Sequence, residues 1–261
     1  MEAQSFGDVG VAAGTDHVAT VEIRRPPDNF FDADLIASLA DAYEWAAATG
    51  ARAIMLCSEG KHFCAGADFT GRSSAGRIAD GGAKVLYEEA LKLFAGPLPV
   101  VAAVQGAAVG GGLGLACSAD FRVASPQSRF SANFARIGLH QGFALSATLS
   151  AIVGQQHAWD MLYTGRRVSG TEAAAMGLAD RLADDPAALR GVARELAAQV
   201  AESGPLAVRA IRATMRAGLA KRAKEAMDHE FAEQGKLWPT ADFAEGVRAA
   251  AERRTPRFEG R

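Results

Sequence analysis

Residues 97–120 read PLPVVAAVQGAAVGGGLGLACSAD, and the fold turns on what this stretch does. No charge appears before Asp120. Val100 to Val104 predicts a buried strand, Gln105-Gly106 a turn, and the residues after Gly110, Gly111 and Gly112 a helix of small side chains. Consecutive glycines cost backbone entropy and are kept where the main chain adopts unusual dihedrals or approaches something closely. A helix starting there turns unpaired N–H groups and the positive end of its dipole outward. Such an end suits an anion or a developing oxyanion held by backbone. The run has the length of a membrane span, but its prolines, glycines and glutamine favour a packed strand and helix. A dinucleotide fingerprint fails on spacing, because Leu115 and Cys117 stand where the third glycine belongs. Close packing alone is a reading of the glycines that this stretch leaves open.

Working outward, Val18 to Ile23 alternates as a strand and stops at Arg24-Arg25-Pro26-Pro27. Asp32 or Asp34 caps a helix running to Gly50, with Leu35, Ile36, Leu39, Tyr43 and Ala46 at helical spacing. Ala53 to Cys57 is a continuous apolar run of buried-strand type. The loop GKHFCAGADFTG (60–71) follows, then a stretch rich in Gly, Ser and Ala (72–82) that reads as a mobile loop. Lys84 to Phe94 is helical, with Val85, Leu86, Leu91 and Phe94 expected inward. Phe121 to Ala124 is another short strand, so a repeated ββα unit is implied. Beyond Gln155 the chain turns helical: Ser169-x-x-Glu172 is a capping box stopped at Gly177, Asp185-Pro186 opens one helix, and Gly204-Pro205 opens the next. We divide the chain into an α/β core of residues 1–200 and a helical region of 201–261.

Composition excludes several classes. The 261 residues are 49% hydrophobic, enough for a substantial core, and 28 basic against 30 acidic side chains project no field toward nucleic acid or anionic membrane. Three cysteines without C-x-x-C spacing argue against a disulfide framework or a zinc site, and the first residues carry no secretion signal. A cytoplasmic protein without a bound metal is expected.

Two glycine-bearing loops, CAGAD (64–68) and GGGLG (110–114), each follow a buried strand. If those strands are neighbours, both loops present N–H groups at one sheet edge, and two such donors make an oxyanion hole. With these motifs the chain resembles the crotonase superfamily, the enoyl-CoA hydratase/isomerase family, over nearly its whole length. The matching segments are RPPDNFF, HFCAGADF, AAVQGAAVGGGLGLACSADFRVAS, TGRRVSGTEAAAMGLADRL and AEGVRAAAERRTPRFEGR. The resemblance implies an α/β ClpP/crotonase-like spiral of ββα units with a C-terminal helical trimerisation region, assembled as a trimer or dimer of trimers. It implies an acyl-CoA thioester as substrate, coenzyme A entering as part of that substrate and not as a prosthetic group. The oxyanion donors carried over are the N–H groups of Ala67 and Gly111. Pro27, Asp28, Ala65, Gly66, Asp68, Phe69 and Gly110 fall at substrate-binding positions, and Arg253 and Arg254 at positions within reach of a CoA phosphate.

The chain also departs from the pattern. Hydration needs an acid and a base, and the resemblance places the family's two glutamates at Gly114 and Phe134, while the acid of some other members falls near Gly142. Gly114 and Phe134 imply a drier acyl pocket. His140 is the titratable candidate nearby, read either as a proton shuttle or as a loop residue bonded to backbone; Gln141 is a candidate for orienting water. The function expected is an acyl-CoA-processing enzyme that stabilises a thioester enolate, with hydration, isomerisation, C–C cleavage and thioester hydrolysis all passing through such an anion. The alternative is a catalytically silent acyl-CoA-binding protein. A Clp-type serine peptidase finds no support, since G-x-S-x-G is absent.

Overall fold

The computed structural model describes residues 2–67 and 83–261. A seven-stranded sheet runs in the order β1-β2-β3-β4-β5-β7-β10. It is built from β1 (Ala3–Phe6), β2 (Val9–Ala13), β3 (Val18–Ile23), β4 (Ala53–Ser58), β5 (Val100–Ala103), β7 (Phe121–Ala124) and β10 (Arg181–Leu182). The β1–β2 and β2–β3 pairs are antiparallel, and from β3 onward the strands run parallel, with Leu56 opposite Ala102 and Ala102 opposite Arg122. A three-stranded sheet of β6 (Ala107–Val109), β8 (Arg129–Ser131) and β9 (Val168–Ser169) stands beside it, and a bridge from Cys64 to Ala108 ties the 64–67 loop to its edge.

The apolar run Val100-Val101-Ala102-Ala103 is uncharged because both faces of β5 are covered. Val100 and Ala102 join the main core with α1 (Ala33–Ala48), α2 (Ala83–Ala95) and α3 (Gly111–Ser118). Val101 and Ala103 join a second cluster under α7 (Leu189–Glu202). Asp32 caps α1 by accepting the Leu35 N–H at 2.9 Å, and Ser169 caps α6 (Gly170–Ala175) by accepting the Glu172 N–H. One expectation is corrected: Val85 is 52% exposed. The buried stripe of α2 runs Leu86, Ala90, Leu93, Phe94, and Val85 falls off its edge.

After the small sheet come a 3-10 helix (Asn133–Ile137), α4 (Leu145–Val153) and α5 (Gln155–Thr164). The C-terminal helices are α8 (Pro205–Met215), α9 (Leu219–Leu237) and α10 (Ala241–Ala251). Helix α9 lies on α2 and α4, and α10 lies on the 3-10 helix, so this region closes over the core of its own chain. No described helix is long and apolar enough to cross a membrane.

Candidate active site

The two glycine loops meet. Cys64 N–H donates to the Ala107 carbonyl at 3.0 Å and Val109 N–H returns to the Cys64 carbonyl at 3.1 Å, so the chain from Cys64 runs alongside β6. Ala65 N–H bonds to the Asp28 carbonyl and Phe31 N–H to the Gly66 carbonyl. Gly66 has φ +92°, and a Cβ there would lie 2.8 Å from the Val109 carbonyl oxygen and 4.0 Å from the Gly111 nitrogen. A side chain would therefore push the two loops apart. Gly110, with φ 57° and ψ −120°, turns the chain from β6 into α3 and donates its own N–H to the Ser131 carbonyl. The Gly111 N–H opens α3 and, like that of Ala67, meets no acceptor among the described residues. A Cβ on Gly111 would collide with the ring of Phe31, and one on Gly112 with the Cys64 carbonyl, so the triple glycine also serves close packing.

Ala65, Gly66, Ala67, Gly110 and Gly111 line one cavity of about 250 Å³. Its opposite walls are aromatic and come from distant parts of the chain: Phe31 from the start of α1, Tyr87 from α2, Phe134 from the 3-10 helix, Phe143 before α4, and Trp238 at the end of α9. Val247, Ala250 and Ala251 of α10 complete it. Phe134, 8% exposed, lies against Gly110, where a Cβ would be 3.7 Å from its Cζ. Gly114 is buried behind the lining: a Cβ there would lie 2.6 Å from Cβ and 2.9 Å from Cγ of Phe143. The Phe143 ring, packed edge-on to Phe31 at 5.6 Å, fills the space a side chain at 114 would need.

The chain's tail holds this wall in place. Phe143 and Ala144 both have left-handed backbone, φ 60° and 58°, a conformation that costs a residue with a Cβ about 1 kcal/mol or more. The buried carboxylate of Glu230 accepts the Ala144 and Ser146 N–H groups, each at 2.8 Å, and so caps α4 from α9. One turn later Gln234 donates to the His140 carbonyl at 3.0 Å and accepts from the Tyr87 hydroxyl at 3.3 Å.

Several sequence candidates lie elsewhere. His140 is not in the cavity lining; its Nδ1 faces the Gln141 carbonyl at 2.9 Å and its ring packs edge-on to His229. Gln141 gives its amide to Ser146. Pro27 and Asp28 are outside the lining too, though the Asp28 backbone braces Ala65. Arg254 is engaged by Glu245 and Glu252. Asp68 and Phe69 lie outside the described residues. Burial pushes the Cys64 thiol up to about 12, which leaves it no nucleophile beside the loop.

Comparison with known proteins identifies the family. The family model for enoyl-CoA hydratase/isomerase matches residues 13–261. The chain belongs to the enoyl-CoA hydratase/isomerase family. It is 35% identical over 238 residues to a probable enoyl-CoA hydratase of Mycobacterium tuberculosis, covering 90% of this chain and 92% of the relative. It is 30% identical over 250 residues to a probable enoyl-CoA hydratase of Bacillus subtilis, covering 93% and 95%. The crystal structure of an enoyl-CoA hydratase/isomerase from Pseudoalteromonas atlantica superposes with a TM-score of 0.84 at 29% identity, covering 97% of this chain and all, 100%, of that one. These comparisons make the protein an enzyme of the enoyl-CoA hydratase/isomerase family with the crotonase fold. The cavity's polar side chains among the described residues are Asn133, Tyr87, Gln234 and, through its indole N–H, Trp238. No motif or spacing in the sequence marks any of them; each stands in an ordinary helical context, and only the long-range packing turns it inward.

Proposed function

We propose that the protein binds an acyl-CoA thioester in the aromatic cavity and stabilises the derived enolate at the thioester oxygen with the N–H groups of Ala67 and Gly111. The observation that carries this reading is the pairing of those two donors on one cavity wall, each without an acceptor among the described residues, in loops locked together at Gly66. Preorganised backbone donors of this kind stabilise charge that develops only during reaction. Family membership supports the CoA thioester as substrate. The aromatic lining supports an apolar or aromatic acyl group, and a side chain at 114 is excluded by Phe143. Self-association as a trimer or dimer of trimers is part of the same reading; α8 leaves Leu206, Ile211 and Met215 80%, 61% and 78% exposed.

A second reading, binding without turnover, is favoured by one observation: no carboxylate lines the cavity among the described residues. The deciding experiment combines titration calorimetry with mass spectrometry of α-deuterium uptake in D₂O, over butyryl-, crotonyl-, decanoyl- and phenylacetyl-CoA. Binding with deuterium uptake or product supports the enolate-stabilising enzyme. Micromolar binding with no exchange from any thioester supports the silent binder. No binding of any thioester removes both.

A further inference from the structure

A site that stabilises an enolate needs a group to move the proton, and among the described residues lining the cavity Tyr87 is the one titratable side chain. Its hydroxyl has a fixed setting. The Gln234 amide is oriented by donating to the carbonyls of His140 and Gln141, at 3.0 and 3.4 Å, so its oxygen is turned to Tyr87 and accepts the phenolic proton at 3.3 Å. At 3.3 Å that hydrogen bond is longer than an ordinary O–H···O contact, and so weak. A proton so held is readily redirected to a stronger acceptor entering the cavity. The backbone at Gly142 packs against both partners of this bond: a Cβ there would collide with Tyr87 Oη and lie 2.8 Å from Gln234 Nε2. Glycine at 142 thus leaves room for the hydroxyl beside Gln234 at the cavity wall.

Resting on the enolate reading above, we propose that Tyr87 is the proton donor of this site, with Gln234 as its positioning residue. In the step, the Tyr87 O–H bond breaks and its proton goes to the carbanionic carbon of the enolate. The enolate's electron pair forms the new C–H bond, the oxyanion held by Ala67 and Gly111 returns to a carbonyl, and the electron pair left on the phenolate takes a proton from solvent. Read backwards, the phenolate removes the α-proton, so α-exchange depends on how much phenolate is present.

The surroundings set how that dependence looks. Burial holds the phenol above its ordinary value, and Glu230 on α9 raises it further, while Gln234 and the Phe143 backbone act in the opposite sense. Other charged groups lie farther along the helices: Asp41 and Glu44 of α1 act on Lys92 near the end of α2, and Glu88 acts on Lys224 of α9. His140 and His229 adjoin Glu230 and Gln234 on the far side of the cavity wall. Tyr87 is consequently a neutral donor at neutral pH, and α-exchange should rise about tenfold per pH unit through the alkaline range with no plateau at carboxylate values.

The test uses the full chain with phenylacetyl-CoA, whose α-protons are acidic, and butyryl-CoA. Exchange is followed in D₂O against pH, and binding by calorimetry. Tyr87→Phe should lose about 10²- to 10⁴-fold in exchange with thioester affinity unchanged within about threefold. Replacing Tyr87 by 3,5-difluorotyrosine, which keeps the shape and lowers the phenol pKa, should raise exchange at fixed neutral pH and move the profile to lower pH. A purely structural tyrosine would show neither effect. Gln234→Leu should lower exchange more than binding. Exchange in Tyr87→Phe equal to that of the unaltered protein, or a profile that levels off above pH 6 and ignores fluorination, overturns the proposal while leaving the enolate reading intact. Absence of exchange in the unaltered protein removes both. If Tyr87→Phe fails to fold, the fluorotyrosine profile decides alone.

Discussion

Glu230→Gln tests whether α9 fixes the cavity wall. The carboxylate is buried and accepts two backbone N–H groups, from Ala144 and Ser146, at 2.8 Å each. The amide keeps one acceptor and turns an NH₂ toward the other N–H. One donor is thereby orphaned, worth about 1–3 kcal/mol, and the bond that survives falls from charge-assisted to neutral, a loss of about 1 kcal/mol. Against this, the amide no longer carries the desolvation penalty of a buried charge, and relaxation of the left-handed pair Phe143-Ala144 releases some strain. The net expectation is a loss of about 1–3 kcal/mol, or roughly 3–10 °C in midpoint. The pH dependence carries a sign. Burial raises the Glu230 carboxyl above its ordinary value, its hydrogen bonds opposing without prevailing. A group raised in the folded state contributes stability that is fully present below its unfolded value and is lost as pH rises through the folded value. Urea melts of the two proteins from pH 4 to 8 should therefore show the gap widest in acid and narrowing as pH rises. No loss of stability would refute the account of Glu230 as a buried cap, while a gap that grows with pH would show its hydrogen bonds prevailing over burial.

Three further outcomes are expected. Gly114→Glu should destabilise by about 3 kcal/mol or more through collision with Phe143, and Phe143→Ala in the same chain should restore much of that loss; additivity of the two substitutions in a double-mutant cycle by denaturant unfolding would count against their contact. Gly191→Ala, in α7 with open space around its Cβ, should stabilise by about 0.5–1 kcal/mol in a thermal melt, whereas Gly112→Ala should destabilise because its Cβ meets the Cys64 carbonyl. The tail is tied to α10 by Glu245, which Arg254, Arg248 and the Arg257 N–H hold far below the usual carboxylate range. Because that value is depressed on folding, its stabilisation is present above the ordinary carboxylate value and disappears as pH falls below it. Protection factors for amide exchange over residues 255–261, taken against the intrinsic rate at each pH, should fall in acid, and Glu245→Gln should show the fall already at neutral pH.

How much was legible in the chain varies from element to element. The Val18–Ile23 strand, the Asp32 cap, the strand at Ala53, the Ser169 capping box and the helix opened by Pro205 were readable because each is fixed by its neighbours in sequence. The strands β6, β8 and β9 were not, being two or three residues long and defined by their pairing alone. Helix α4 was hidden because its N-terminus has no capping side chain of its own; the cap is Glu230, 86 residues from Ala144. His140 looked like the site's titratable group because it lies near Phe134 in sequence, yet the 138–142 turn directs it to the other side of the wall.

By itself the sequence determined the two glycine loops, their place after buried strands, and the absence of carboxylates at Gly114 and Phe134. These are local matters, since a left-handed φ at Gly66 or Gly110 and the end of a strand are set by sterics within a few residues. Only the tertiary structure decided what faces the loops. Tyr87 and Gln234 stand 147 residues apart and meet because α9 packs on α2, and Phe143 occupies the space of a residue 29 positions earlier because Glu230 holds its backbone in place. Such contacts depend on which surfaces close on one another, and no periodicity or spacing along the chain encodes that directly.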